Sequence, residues 1–130
     1  MAATPSWYAL RNAVHLHEWE TAERLLADEP SLVSSRDGLG ETVLHFLAVE
    51  NDLEGVAWLH VHGFSIDSKN DFGTPVIFEV CQLGHKDLVL WFISQGVDWS
   101  ATDREGHTIH AYLDEFEHPD MSHFLKLNGA

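Results

Sequence analysis

The stretch GETVLHFLAVEND (residues 40–52) decides the fold of this 130-residue chain. It joins a turn glycine and a threonine to a run of apolar residues. Thr42 precedes that run, and its side chain can cap a helix by accepting backbone N–H bonds. Leu44, Leu47 and Ala48 follow at spacings of three and four, which places them on one helix face. The stretch therefore predicts a turn followed by a short helix.

The same pattern returns when the sequence is shifted by 33 residues. A fixed period of roughly 20–50 residues is typical of solenoids built from stacked units. Each unit is predicted to hold two short helices, and an extended segment such as residues 64–70 leads into the next turn. Two glycine series and three apolar series keep this register: Gly40, Gly73 and Gly106; Gly63, Gly96 and Gly129; Val43, Val76 and Ile109; Trp58, Trp91 and Phe124; Leu59, Phe92 and Leu125.

The pattern resembles the ankyrin repeat family, in which a turn glycine precedes Thr-Pro-Leu-His and a later glycine ends the second helix. GETVLH (residues 40–45), LGH (residues 83–85) and GVD (residues 96–98) carry the resemblance. It implies an all-α fold, an ankyrin-repeat solenoid of helix–turn–helix units with extended, hairpin-like turns. We predict a single domain over residues 1–130 with four units, the outer two being caps. The units cover approximately residues 6–36, 37–69, 70–102 and 103–130.

The charge balance restricts the class of partner. The chain has 21 acidic and 7 basic residues and a net charge of −14. Such a field repels phosphate backbones and anionic lipid, so we expect neither nucleic acid nor membrane as partner. It favours a basic protein partner, although the same charge can serve solubility alone. The single cysteine, Cys81, and the absence of a signal peptide pattern favour the cytoplasm, and a monomer is favoured.

No residue set for catalysis stands out, and we predict no enzyme activity, no cofactor and no metal site. Cys81 lies in a position where it fills the core, so it is not expected to act as a nucleophile. The resemblance implies that His45 hydrogen-bonds the turn backbone. Metal binding through the ten histidines is a less favoured alternative, because the candidate pairs lack further ligands at suitable spacing. Those pairs are His60 with His62, His107 with His110, and His118 with His123.

Five tryptophans are many for a chain of this length. Trp58 and Trp91 occupy one repeated position and are predicted to pack in the core between units. Trp7 and Trp19 lie in the first unit, where we expect them to be partly exposed.

The resemblance implies that a partner binds the turn tips and the inner helix face. Apolar anchors ringed by charge are typical of protein interfaces. Alternatively, Leu39 and Phe72 fold back onto their own turns. The predicted binding residues are an apolar column (Leu39, Val49, Phe72, Leu83, Phe116), an acidic flank (Glu41, Glu50, Asp71, Glu105, Glu115) and the neighbouring Gln82, Arg104 and His107.

These features predict a protein–protein interaction module that binds and blocks a basic partner through a concave acidic face. In size and charge the chain is similar to bacterial ankyrin-type immunity proteins, which neutralise a basic toxin. Two alternatives stay open: an intracellular adaptor or regulatory scaffold without an inhibitory role, and a histidine-based metal-binding protein.

Overall fold

The structure, a computed structural model, describes residues 3–130. That part of the chain is helical and contains no β-strand; one isolated bridge joins Lys69 and Pro75. A 3₁₀ helix over Pro30–Val33 follows the second α-helix. The α-helices are α1 (Pro5–His15), α2 (Trp19–Asp28), α3 (Val43–Val49), α4 (Leu53–Val61), α5 (Val76–Gln82), α6 (Lys86–Ser94), α7 (Ile109–Glu115) and α8 (Pro119–Leu127).

The helices pack as four successive pairs in two layers. Each helix of odd number contacts the next helix along the chain, and α1, α3, α5 and α7 contact one another in that order. Helix α4 contacts α6 in the second layer. The predicted all-helical solenoid is therefore confirmed. None of the helices in residues 3–130 combines the length and apolar character needed to cross a bilayer.

The first helix of a pair begins where the sequence predicts. Thr42 Oγ1 accepts a hydrogen bond from the backbone N of His45 (3.2 Å), and Thr108 caps α7 in the same way. Pro75 takes this place before α5 and has no hydroxyl, so α5 starts without a side-chain cap. The preceding turn glycines, including Gly40, have φ values near 80°, a conformation that only glycine adopts without strain.

The link between the two helices of a pair also repeats. One residue in each link has a left-handed backbone: His17 (φ 59°), Asn51 (62°), Gly84 (76°) and Glu117 (60°). Only the third pair uses glycine there.

A continuous apolar core lies between the two layers, and it includes Cys81 and the fully buried Trp7. The expectation that Trp7 is partly exposed was wrong, because its ring packs against Phe46 of the next pair. Trp58 is only partly buried and stacks on Trp19, with ring centroids 5.5 Å apart. His62 stacks on the same Trp58 ring at 3.8 Å.

Three basic side chains connect neighbouring turns. An Arg36 guanidinium nitrogen donates to the carbonyl oxygen of Lys69 (2.6 Å), and Lys69 Nζ donates to that of Thr102 (2.7 Å). Arg104 donates to the carbonyl oxygen of Asp71. These bonds fix the spacing of the turns, and they use positive charges for structure.

Candidate functional site

The first helix of each pair (α1, α3, α5 and α7) and the turn that precedes it contribute to one surface, which we call the first-helix face. One concavity of this face, the aromatic groove, has a volume of about 450 Å³. Six predicted binding residues meet there: Phe72, Arg104, Glu105, His107, Glu115 and Phe116. Thr74, Asp103 and Tyr112 complete its lining.

The walls of the groove are aromatic side chains that project from the protein. Phe72 is 62% exposed and Phe116 is 48% exposed. The alternative in which Phe72 folds back onto its own turn does not agree with this exposure. Tyr112 forms the floor; its ring centroid lies 4.7 Å from that of Phe116, and its hydroxyl donates to Gln82 Oε1 (2.5 Å). This bond fixes the predicted residue Gln82 beside the groove.

The turn under the groove is held by Asp103. Its Oδ1 accepts hydrogen bonds from the backbone N of Glu105 (3.0 Å) and of His107 (2.8 Å). His107 Nδ1 donates to Asp103 Oδ2 (3.0 Å), and this bond raises the pKa of His107. Glu105 and Glu115 remain exposed beside the rings.

Basic side chains do not neutralise the acidic surface. Within residues 3–130, every ion pair uses a histidine, and none joins a lysine or arginine to a carboxylate. The Arg11 guanidinium lies over the Tyr8 ring at 5.0 Å, and Lys86 Nζ lies over the Phe124 ring at 5.3 Å. Five of the seven basic residues therefore either lie over an aromatic ring or donate to a carbonyl oxygen of a neighbouring turn: Arg11, Arg36, Lys69, Lys86 and Arg104.

The remaining predicted residues lie outside the aromatic groove. Leu39 is exposed on the neighbouring turn, and its carbonyl oxygen accepts a bond from the backbone N of Asp71 (2.9 Å). Leu83 is exposed at the end of α5, and Glu50 follows α3. Val49 is half-buried. The structure therefore places these residues along the face and does not bring them into one pocket.

Glu41 requires a correction. We expected it on the exposed acidic flank, but its side chain is only 9% exposed. Its backbone N donates to Asp37 Oδ1 (2.9 Å), and its side chain lies beneath the first-helix face, next to His45. Burial raises the pKa of Glu41 to about 7.

His45 also differs from the expectation. It is fully buried, and neither ring nitrogen has a hydrogen-bond partner, so it does not bond the turn backbone. Its Nε2 lies 3.6 Å from Glu41 Oε2 and 3.3 Å from Glu79 Oε1. We call these three residues the Glu–His cluster. Sequence reasoning missed Glu79, although a carboxylate where the other units have Phe46 and Tyr112 is a usable signal.

Two of the three histidine pairs considered from the sequence, His60 with His62 and His107 with His110, make hydrogen bonds within the fold. His60 Nδ1 donates to the Phe64 carbonyl oxygen (3.3 Å), and His62 Nδ1 donates to that of Trp58 (2.8 Å). His110 contacts Ser122 Oγ at 2.7 Å. Burial raises the pKa of Cys81 to about 12, which leaves its thiol protonated and unreactive.

The family model for ankyrin repeats (many copies) matches residues 44–93, from α3 into α6. With the paired helices, this match supports an ankyrin repeat family. Ankyrin repeats are binding scaffolds and typically not enzymes, so the match indicates a protein–protein interaction module. The count of four ankyrin units stays a prediction, because the match covers the middle of the chain. No curated protein matches the sequence.

Proposed function

We propose that the first-helix face binds a basic protein and that the aromatic groove is its main contact. One observation carries the proposal: exposed Phe72 and Phe116 stand beside exposed Glu105 and Glu115, and among residues 3–130 no lysine or arginine forms an ion pair with these carboxylates.

The chemistry of the groove fits an arginine or lysine side chain of the partner. The aliphatic stem of such a residue packs between aromatic rings, and its cation reaches the carboxylates. A purely apolar group would instead remove water from the carboxylates without replacing their hydrogen bonds. The net charge of −14 also accelerates encounter with a basic surface.

We further propose that binding blocks the partner, as an immunity protein blocks a toxin. Support comes from the position of the groove on a row of turns that hydrogen bonds connect to one another. The proposed compartment is the cytoplasm, which agrees with the single, buried Cys81.

Affinity capture from a cytoplasmic extract of the native cell, with mass spectrometry, tests the partner class. We expect a protein with a basic surface that is released as salt rises. In calorimetry, Phe72→Ala should weaken binding about tenfold, as expected for an aromatic anchor. Leu90→Ala, which removes an exposed apolar side chain from α6, is the matched control.

Two results would contradict the proposed site. One is a captured partner that has no basic surface, and the other is that Phe72→Ala binds the partner as tightly as Leu90→Ala does. The blocking role has a separate test, in which the partner's activity is assayed with and without this protein. Full partner activity in the complex would indicate an adaptor.

A further inference from the structure

The Glu–His cluster lies below the first-helix face and has no part in the proposed protein binding. His45 is fully buried with two unpartnered ring nitrogens. An unsatisfied buried polar group costs folding free energy, so its persistence calls for an explanation. Its Nε2 points between the carboxylates of Glu41 and Glu79.

The separations within the cluster are those of ligands around one metal ion. The Nε2 of His45 lies 3.6 Å and 3.3 Å from the two carboxylate oxygens, and neither contact is a hydrogen bond. Ligands held about 2.0–2.1 Å from a tetrahedral Zn²⁺ lie about 3.3 Å from one another. One nitrogen and two oxygens therefore surround a point that a metal ion can occupy with small adjustments.

We propose that the Glu–His cluster binds a divalent transition metal ion of the Zn²⁺ type. His45 supplies Nε2, and Glu41 and Glu79 supply one carboxylate oxygen each. Imidazole and carboxylate together suit Zn²⁺ and Co²⁺, whereas Ca²⁺ takes about six to eight oxygen ligands. The Glu79 side chain is 21% exposed, so this side is open to a water molecule as fourth ligand.

Charge and orientation both support this assignment. A divalent ion balances the charge of the two carboxylates. Asn70 Nδ2 donates to Glu79 Oε1 (2.7 Å), and Asn70 Oδ1 accepts from the backbone N of Phe72 and of Thr74. The Asn70 amide is thereby fixed, and contacts of this kind orient ligand carboxylates.

The test uses the full chain, without a histidine tag and stripped of metal by a chelator. Calorimetry with Zn²⁺ should give one tight site per chain. Co²⁺ should give the visible absorption of a tetrahedral site, and Zn²⁺ should remove it. Glu41→Gln and Glu79→Gln should each lower Zn²⁺ affinity on the order of 100-fold.

The control is His15→Gln, which breaks the histidine–carboxylate pair with Asp52 and should leave the Zn²⁺ affinity unchanged. Circular dichroism checks that each variant is folded, and Glu41→Gln is nearly isosteric. A wild-type chain without stoichiometric Zn²⁺ binding, or equal binding by wild type and both glutamine variants, would overturn the proposal. The cluster is then an ion pair only. Partner capture does not enter this test, so the two proposals can fail separately.

Discussion

Glu41 is an acidic residue in a place with little access to water. Asp37, His45 and Glu79 are the titratable groups around it, and burial is the largest cause that raises its pKa to about 7. In the unfolded chain this pKa is near 4.5. The metal-free folded protein therefore binds more protons at Glu41 than the unfolded chain does. The contribution of Glu41 to the free energy of unfolding is therefore fully present below pH 4.5 and is lost as the pH rises through 7.

Replacing Glu41 with glutamine removes this loss. In chelator at pH 8, we expect Glu41→Gln to raise the free energy of unfolding by about 1–3 kcal/mol, with little change at pH 4.5. Urea unfolding at the two pH values measures this change in the free energy of unfolding. Glu105→Gln, at an exposed carboxylate, is the control and should change little at either pH. An equal effect of both variants would contradict the role of burial.

The pKa of His107 is also raised, but by a different cause. Asp103 favours the charged form of this imidazole, whereas burial disfavours the charged form of Glu41. Asp103 accepts the bond from His107 Nδ1 and raises the pKa of this imidazole. We expect Asp103→Asn to lower the pKa of His107, as measured by NMR titration of the ring protons. Asparagine already fills the equivalent turn position as Asn70, so the turn should be retained. An unchanged pKa would show that Asp103 does not set it.

The links between paired helices carry strain that can be relieved. Glu117 has φ 60°, whereas Gly84 occupies the same place in the preceding pair. A non-glycine residue in this region costs about 1 kcal/mol. We expect Glu117→Gly to raise the free energy of unfolding by roughly 0.5–1 kcal/mol in thermal or urea unfolding.

The matched control is Asp114→Gly, which removes an exposed acid from inside α7. It should instead lower the free energy of unfolding by roughly 0.5–1 kcal/mol. If both variants shift stability in the same direction, the left-handed backbone of Glu117 is not the cause.

The turn glycines differ in what surrounds them. Gly40 and Gly106 both have positive φ, but a Cβ at Gly40 would lie 2.7 Å from the backbone N of Asp71. A Cβ at Gly106 would meet nothing within 4 Å. We therefore expect Gly40→Ala to destabilise the protein by at least about 1 kcal/mol more than Gly106→Ala. Equal losses in urea unfolding would mean that backbone strain alone decides the effect.

Helices and turns were predictable because they rest on local and repeated signals. Thr42 and the glycine series set the helix starts in the sequence as they do in the structure. The surroundings of single side chains depend on the next unit. Glu41 is buried beside His45 and near Glu79 of the next unit, and Trp7 is buried because Phe46 packs against it. No local pattern reports such contacts. Conversely, the exposure of Phe72 and Phe116 was predictable, because they lie at positions that the repeat does not use for packing between units.

At the scale of the whole molecule, the acidic surplus acts against folding. The net charge is −14, and no lysine–carboxylate or arginine–carboxylate pair within residues 3–130 offsets it. Salt should therefore screen repulsion without weakening stabilising pairs of this kind. We expect the thermal midpoint to rise between low and moderate NaCl concentrations. A neutral osmolyte at matched osmolality controls for general solvent effects, and a midpoint that falls with NaCl would contradict the expectation.

The stacked indoles of Trp19 and Trp58 belong to the first and second helix pairs. Two such chromophores 5.5 Å apart are close enough for their electronic transitions to couple, and we expect a pair of bands of opposite sign in circular dichroism. That signal exists only while the first pair is docked on the second. Its disappearance ahead of the helical signal during heating would reveal fraying from the amino-terminal end, without any label.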